Sequence, residues 1–298
     1  MTNVVLTCDN TLCEKIITTF TPYKIENKAP GVRFSAKVDG CTITLYRSGK
    51  CLFQGANAEH YAKPYMTTPT SKPNTTLPTN FSSFSVLGSD ETGTGDYFGP
   101  VTVAAVYVSK EQIPLLQTLG VKDSKLLKDD TMLALAPLIK AACPHKVLLL
   151  KNPKYNTLQA KGFSQGKMKG WMHNQALRLV IDQLDHYPQA ILIDQFATKD
   201  VYFNYLKGRK DIVHERVYFA TKAEQIHLSV AAASILARAA FVKEMEALSK
   251  TVGYPLPKGA GHKVDEVAAR ILRTRGEEFL QSITKWHFAN TDKARKLC

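Results

Sequence analysis

The sequence has no long apolar run and no regularly spaced cysteines. No stretch approaches the ~20 consecutive apolar residues of a membrane-spanning helix, so we expect no such helix. The first residues have neither the basic lead-in nor the apolar core of a signal peptide. Six cysteines occur without zinc-finger spacing: Cys8, Cys13, Cys41, Cys51, Cys143 and Cys298. These absences together predict a cytoplasmic protein whose thiols are reduced.

Several familiar catalytic arrangements are also disfavoured. The glycines of residues 88–95 are not followed by the Gly-Lys-Ser/Thr that closes a phosphate-binding P-loop. No serine is predicted to act as a nucleophile on a strand-to-helix elbow. His173, His227 and His262 lack the spacing of metal ligands, and we assign them structural roles. The sequence therefore argues against a P-loop nucleotidase, a serine hydrolase and a zinc enzyme.

Acidic residues are scarce relative to basic ones. The 298 residues include 39 lysines and arginines against 26 aspartates and glutamates, which gives a formal net charge of +13. A basic surplus favours a polyanionic partner, and nucleic acid is the first candidate. The alternative is a protein that is merely basic. The hydrophobic content of 44% suffices for a normal core, and the length suits one large or two modest domains.

The composition predicts two domains joined by a linker. Residues 1–63 contain a helical pattern and then β-rich runs that meet at Asp39-Gly40 and Ser48-Gly49, both hairpin signals, so we expect a small α+β domain. Residues 64–83 are rich in Pro, Thr, Ser and Asn and form the predicted linker. In residues 84–298 strands alternate with helices, which predicts an α/β domain with a mixed sheet. Its last strand is expected over residues 212–219, and its last helix is expected to end near Gly276.

Basic and aromatic residues are interleaved along the predicted N-terminal sheet. They are Arg33, Lys37, Arg47 and Lys50 with Phe34, Tyr46 and Phe53. A sheet face of this composition can hold a nucleic-acid backbone. An ordinary solvated face over an ordinary core is the alternative that the sequence leaves open.

Four acidic residues stand where side chains converge in an α/β fold. Asp90 and Glu91 lie between two apolar runs, Asp194 ends an apolar strand, and Glu224 precedes a long helix. Buried carboxylates are costly unless they are paired or bind a metal. Neighbouring residues on a strand face opposite ways, so the first two acids can reach one metal cluster only if the strand ends or bends there, and Gly93 and Gly95 allow such a bend. The alternatives are a turn or cap for Asp194 and a simple helix-start acid for Glu224.

Several carboxylates at one site are typical of two-metal phosphodiester hydrolysis. Hard divalent cations such as Mg²⁺ prefer carboxylate and water oxygens. Two such ions, roughly 3.5–4 Å apart, activate a water and stabilise the leaving oxygen. The acids and the basic charge together therefore predict a nuclease.

The segment that carries the first two acids resembles the signature of type 2 ribonucleases H. It reads Gly88-Ser89-Asp90-Glu91-Thr92-Gly93-Thr94-Gly95 and continues at Phe98-Gly99-Pro100-Val101. Its Gly-Thr-Gly form is similar to ribonuclease HIII, whereas ribonuclease HII has arginine at the place of Thr94. Three later segments resemble successive ribonuclease HIII motifs: Ile193-Asp194-Gln195-Phe196, Thr221-Lys222-Ala223-Glu224 and Val230-Ala231-Ala232-Ala233-Ser234-Ile235-Leu236-Ala237-Arg238.

The resemblance implies a fold and a set of site residues. We expect a ribonuclease H-like mixed sheet flanked by helices, after an N-terminal domain that is similar to half of the TATA-box-binding protein and binds substrate. Four residues are implied to be catalytic and to bind Mg²⁺ or Mn²⁺: Asp90, Glu91, Asp194 and Glu224. Substrate contacts are expected from Gly93, Thr94, Gly95, Ser124, Lys125, Lys167 and Lys169, although a helix-start loop and a solvated helix face are the alternatives for the last four.

The implied activity is hydrolysis of the RNA strand of RNA/DNA hybrids. Products would carry 5′-phosphate and 3′-hydroxyl ends, and the protein would act as a monomer without an obligate protein partner. One alternative is ribonuclease HII-like incision at single ribonucleotides, although the threonine at position 94 argues against that preference. The other alternative is a nucleic-acid-binding protein without catalysis, although such a protein has no need for four carboxylates beside a polyanion.

Overall fold

A computed structural model describes residues 2–8, 10–27, 29, 31–65 and 77–298 of the chain. The chain divides into two compact units, Met1–Asn74 and Thr75–Cys298. Most of the predicted linker, residues 66–76, lies outside the described residues. Within the second unit, Phe81–Ser83 forms a 3-10 turn whose Phe81 ring is buried in a hydrophobic cluster of that unit. The linker boundaries at residues 64 and 83 remain predictions.

The first unit is a four-stranded antiparallel sheet with two helices. Its elements are β1 (Thr2–Thr7), α1 (Asn10–Phe20), β2 (Val32–Val38), β3 (Cys41–Tyr46), β4 (Lys50–Gly55) and α2 (Ala58–Ala62). The strand order is β1-β4-β3-β2. Apolar residues that alternate along the strands face α1, and Phe20 of that helix meets Phe53 edge-on with ring centroids 6.3 Å apart.

The predicted basic and aromatic face of this sheet is only partly correct. Phe34 and Phe53 belong to the buried core, because in-out alternation directs them to the helix side. Arg33 lies at a register shift in β2 and pairs with Glu14 of α1. Lys37 remains exposed, as does Lys50 of β4.

The second unit is built on a five-stranded mixed sheet. Its elements are β5 (Val86–Thr92), β6 (Val101–Val108), α3 (Ile113–Thr118), α4 (Asp129–Ala142), β7 (His145–Leu150), α5 (Asn152–Ala160), α6 (Gln165–Ile181), β8 (Ala190–Asp194), α7 (Lys199–Leu206), β9 (Val217–Ala220), α8 (Leu228–Val252), α9 (His262–Ile283) and α10 (Ala289–Lys296). The order is β7-β6-β5-β8-β9, with β5, β8 and β9 parallel and β6 antiparallel to both of its neighbours.

Helices α8 and α6 cover the two faces of this sheet. Alternate residues of β6 pack against the alanine-rich stretch of α8 on one face and against α6 on the other. Gly88 allows α8 to approach β5, because a Cβ there would lie 2.5 Å from the backbone carbon of Ser229. Among the described residues, no helix is long and apolar enough to cross a membrane.

Two predicted element boundaries are wrong. The last strand begins at Val217, because the backbone of Val213 hydrogen-bonds to the Asn174 side chain of α6 instead of to a strand. Helical structure does not end at Gly276: the backbone leaves helical geometry there, with φ +81°, and a further helical segment continues to Ile283.

Candidate active site

A cleft opens where β8 ends beside β5. Pairing between the two strands stops at Ser89 and Ile193, whereas β5 continues against β6 as far as Thr92. The sheet therefore has a gap beside residues 90–92 of β5. The predicted acids all line the cleft at this gap: Asp90, Glu91, Asp194 and Glu224. The same cleft is lined by five of the predicted substrate-contact residues: Gly93, Thr94, Gly95, Ser124 and Lys125.

Asp90 and Glu91 leave opposite faces of β5, as neighbouring strand residues do. Asp90 faces α8 and Glu91 faces α6, yet both border the cleft because the gap is open to both faces. The strand ends at Thr92, one residue after Glu91, which meets one of the two conditions expected from the sequence. The strand continues past both acids and first departs from extended geometry at Gly93, where φ is +93°.

Asp90 is a buried carboxyl among other acids. It accepts hydrogen bonds from the backbone N–H of Glu91, at 2.7 Å, and from the Ser234 hydroxyl of α8. Burial and the charges of Glu91 and Asp194 together raise the pKa of Asp90 to about 7, and the two hydrogen bonds offset this only in part. A nearby cation would therefore stabilise the ionised form of the Asp90 carboxyl.

Glu91 is held by two donors from one helix. Lys169 Nζ lies 2.7 Å from Oε1, and His173 Nε2 lies 2.9 Å from Oε2. Burial acts to raise the pKa of Glu91, but the hydrogen bonds and charges of His173 and Lys169 outweigh it and lower the pKa below its usual value. Glu91 is therefore kept as a carboxylate with both oxygens fixed.

Asp194 is the last residue of β8. Its Oδ1 accepts a hydrogen bond from the backbone N–H of Ala223 at 2.9 Å, which ties the strand end to the turn that carries Glu224. Burial raises the pKa of Asp194, and the charges of Glu224 and Glu91 act in the same direction. Two of the other three acids thus influence this carboxyl, which places them with Asp194 in one electrostatic cluster.

Glu224 lies in a 3-10 turn, Ala223–Gln225, and not at the start of the long helix as the sequence suggested. Helix α8 begins at Leu228, and His227 caps it by accepting from the Ser229 N–H. The Glu224 side chain is only 3% exposed. Its Oε1 accepts from Lys125 Nζ at 2.6 Å, whereas its buried Oε2 has no hydrogen-bond partner among the described residues.

The loop that contains Ser124 and Lys125 is anchored to the acids. Asp123 accepts a hydrogen bond from Gln225 Nε2, at 2.9 Å, beside Glu224. The Ser124 hydroxyl lies 2.8 Å from that of Ser234, which in turn bonds Asp90. The loop is therefore tied to residues that adjoin or bond the acids.

The two lysines predicted to hold the DNA strand differ in their surroundings. Neither lysine is among the residues that line the cleft, and Lys167 Nζ lies 4.5 Å from the Phe163 ring centroid. Lys169 binds Glu91, and its Nζ also lies 4.4 Å from the centroid of Phe196. A substrate contact for either lysine remains a prediction.

The carboxylates are suited to divalent cations but are engaged by protein cations. In the part of the chain that the structure describes, no three His, Cys, Asp or Glu side chains are grouped to hold one metal ion. Lys125 and Lys169 draw Glu224 and Glu91 toward themselves. Even so, all four candidate ligands are oxygen donors, and the buried Glu224 Oε2 needs a partner. The residues therefore fit Mg²⁺ or Mn²⁺, and a bound ion would compete with the ammonium groups.

Sequence reasoning missed the supporting residues around Glu91 and Asp90. His173 was assigned a structural role, and Ser234 was not considered a site residue. The available signal was the four-residue spacing of Lys169 and His173, which places both on one face of a helix.

A serine motif near the cleft has a structural explanation. Residues 162–166 match Gly-x-Ser-x-Gly, the pattern of a nucleophile elbow. Ser164, however, follows a helix instead of a strand and caps α6, accepting from the Lys167 N–H at 3.1 Å. The serine is therefore a helix cap.

Two family models match the chain. Residues 87–291 match the model described as Ribonuclease HII, and residues 3–77 match a domain of unknown function, DUF3378. The mixed sheet and the acid-lined cleft thus define a protein with the ribonuclease H-like fold.

Similar proteins show to which branch of this class the chain belongs. The chain is 56% identical to Ribonuclease HIII of Lysinibacillus sphaericus over the whole of both chains. It is 53% identical to Ribonuclease HIII of Bacillus subtilis over 90% of this chain and 88% of that protein. Among solved structures it is similar to Bst-RNase HIII in complex with Mn²⁺, with 45% identity, a TM-score of 0.73 and 99% of each chain covered. The chain belongs to the ribonuclease HIII branch of the type 2 ribonuclease H family.

Proposed function

We propose that this chain is an endoribonuclease that hydrolyses the RNA strand of RNA/DNA hybrids with Mg²⁺ or Mn²⁺. The observation that carries the proposal is the meeting of acids from three separate parts of the chain in one cleft: Asp90, Glu91, Asp194 and Glu224. When bound, the cations supply an activated water and stabilise the leaving oxygen, which yields 5′-phosphate and 3′-hydroxyl ends.

The chain's own residues arrange the reaction. The proposed metal ligands are Asp90, Glu91, Asp194 and Glu224, of which Glu91 and Asp194 are already oriented by hydrogen bonds. Lys125 is 72% exposed at the cleft, where its ammonium is available to an RNA phosphate. The turn at Gly93 and Gly95 lines the same cleft and exposes backbone to the substrate, where contact with a ribose 2′-hydroxyl distinguishes RNA from DNA.

The test is cleavage of an end-labelled RNA/DNA hybrid with Mg²⁺, with Mn²⁺ and with chelator. Wild-type protein is expected to cut only with metal. Asp194→Asn is expected to abolish cleavage while hybrid binding persists, because it removes a ligand charge and leaves the fold intact. Asp200→Asn is the matched control, since Asp200 is exposed on α7 away from the cleft. Equal cleavage by the wild type and by Asp194→Asn would contradict the proposal and favour a nucleic-acid-binding protein.

A second substrate distinguishes the two ribonuclease classes. Thr94 lines the cleft where ribonuclease HII has an arginine, so we expect the hybrid with a long RNA run to be cut faster than a DNA duplex with one embedded ribonucleotide. The reverse order would indicate ribonuclease HII-like activity. We further propose that the protein is a cytoplasmic monomer, which light scattering of the purified chain and cell fractionation would test.

A further inference from the structure

Glu91 is bounded by a small buried assembly whose residues, Ser89 and His173, do not line the cleft. The His173 side chain is wholly buried, and both of its ring nitrogens have partners. Nε2 lies 2.9 Å from Glu91 Oε2, and Nδ1 lies 2.8 Å from the Ser89 hydroxyl. Ser89 is two residues before Glu91 on β5, so both face the same helix.

Three contacts fix the orientation of this ring. Besides its two hydrogen bonds, His173 stacks on Phe196 with centroids 5.0 Å apart and an interplanar angle of 24°. Phe196 follows Asp194 by two residues, and its N–H bonds the Asp194 carbonyl at 3.0 Å. The loop that carries one proposed metal ligand therefore supports the histidine that holds another.

The direction of the hydrogen bond follows from the partners. Glu91 is a carboxylate and can only accept, so Nε2 donates to it. The Ser89 hydroxyl can donate or accept, so it is compatible with Nδ1 in either charge state of the ring. The contact with Glu91 thus does not depend on whether His173 is charged.

We infer that His173 is a positioning residue that holds Glu91 in the orientation required for binding a divalent cation. This inference rests on the proposed function, because it assigns Glu91 as a metal ligand. Lys169, one turn earlier on α6, fixes the other oxygen at 2.7 Å, so the carboxylate plane cannot rotate without breaking a buried contact. Hydrogen-bonded partners behind metal ligands typically contribute 10- to 100-fold in metal affinity or activity.

The test compares His173→Asn with His173→Gln in the full chain. The Gln amide reaches about as far as Nε2 and keeps a donor for Glu91, whereas the Asn amide reaches only as far as Nδ1. We expect His173→Asn to weaken Mn²⁺ binding by about 10- to 100-fold in titration calorimetry, and His173→Gln to remain closer to the wild type. Hybrid affinity in chelator should be equal in both variants, because His173 does not line the cleft.

Two further variants separate positioning from stability. His173→Phe keeps a ring to stack on Phe196 but has no donor, and it should lose Mn²⁺ affinity as His173→Asn does. His227→Gln changes another buried histidine, whose partners are Ser229 and the Phe84 carbonyl, and it should bind Mn²⁺ as the wild type does.

The inference is overturned if His173→Asn and His173→Gln bind Mn²⁺ equally well, or if His173→Phe binds it like the wild type. Failure of the proposed function gives a different result: wild-type protein would not cleave the hybrid at saturating Mn²⁺. The two outcomes are measured separately, one by calorimetry on the free protein and the other by product analysis.

Discussion

The ammonium of Lys125 lies 2.6 Å from Oε1 of Glu224, so a protein cation contacts one of the four acids in the cleft. The two side chains differ sharply in exposure, at 72% for Lys125 and 3% for Glu224. The lysine is therefore able to move away while the glutamate is not. Because we propose Glu224 as a metal ligand, we expect Lys125 and a divalent ion to compete for this carboxylate.

Replacing Lys125 with methionine tests this competition. An exposed ion pair contributes about 0.2–1 kcal/mol, so Lys125→Met is expected to raise Mn²⁺ affinity of the free protein by up to about fivefold. Hybrid affinity in chelator should fall, because an ammonium next to the phosphate path is lost. Lys167→Met is the control for the Mn²⁺ measurement, because the Lys167 ammonium lies over the Phe163 ring and contacts no acid in the cleft. Unchanged Mn²⁺ affinity in Lys125→Met would refute the competition.

Helix–strand contact at Gly88 predicts a stability effect. A Cβ at this position would lie 2.5 Å from backbone atoms of Ser229 and Val230, which cannot move independently. Gly88→Ala is expected to lower the free energy of unfolding by about 1–3 kcal/mol, as overpacking of a core does. Gly95→Ala is the matched control, because no atom lies within 4 Å of its added Cβ. Urea denaturation of the two variants checks this, and equal midpoints would contradict it.

His227 predicts a pH dependence of stability. Burial lowers the pKa of His227 from 6.5 to about 4, so the folded protein holds this ring neutral while the unfolded chain protonates it below 6.5. Its contribution is therefore present above pH 6.5 and is lost as the pH falls toward 4, by on the order of a few kcal/mol. Urea unfolding at pH 7 and pH 5 should show a smaller loss in His227→Gln than in the wild type. An identical loss in both proteins would exclude His227 as the cause.

Removal of the first unit tests its predicted role in substrate binding. The chain from residue 77 onward is expected to bind the hybrid more weakly and with a shallower salt dependence, because basic residues such as Lys37 and Lys50 are removed. Its cleavage rate at saturating hybrid should persist, since the four acids lie in the second unit. Filter binding at several salt concentrations measures the first effect, and unchanged affinity would disprove the role.

The placement of the first three acids at strand ends could be predicted because apolar runs stand beside them in the sequence. Asp90 and Glu91 interrupt an apolar strand and Asp194 ends one, which local pattern detects. Pattern did not show that Glu224 stands in a separate 3-10 turn, because the turn depends on Lys222 at φ +56°. The gap between β5 and β8 is a property of strand register, and register is set by pairing across distant parts of the chain.

The supporting residues are harder to predict for a related reason. His173 is one of several histidines without a metal-ligand spacing, and its importance comes from Glu91, which is 82 positions away. The strand β1 pairs with β4 across about fifty residues, so its apolar run carries no local hairpin signal. Contacts of this kind become visible only when the chain is folded.

The buried amine of Lys285 can report on opening of the folded protein. The Lys285 side chain is completely buried, where its Nζ donates to the carbonyls of Asp96 and Gly99 at 2.7 Å, and burial lowers its pKa to about 7. In the folded protein no acylating reagent can reach this amine, and an opening that exposes it also restores the ordinary pKa of a lysine. Labelling of Lys285 followed by mass spectrometry would therefore record how often this part of the molecule opens, from a reporter that the chain already contains.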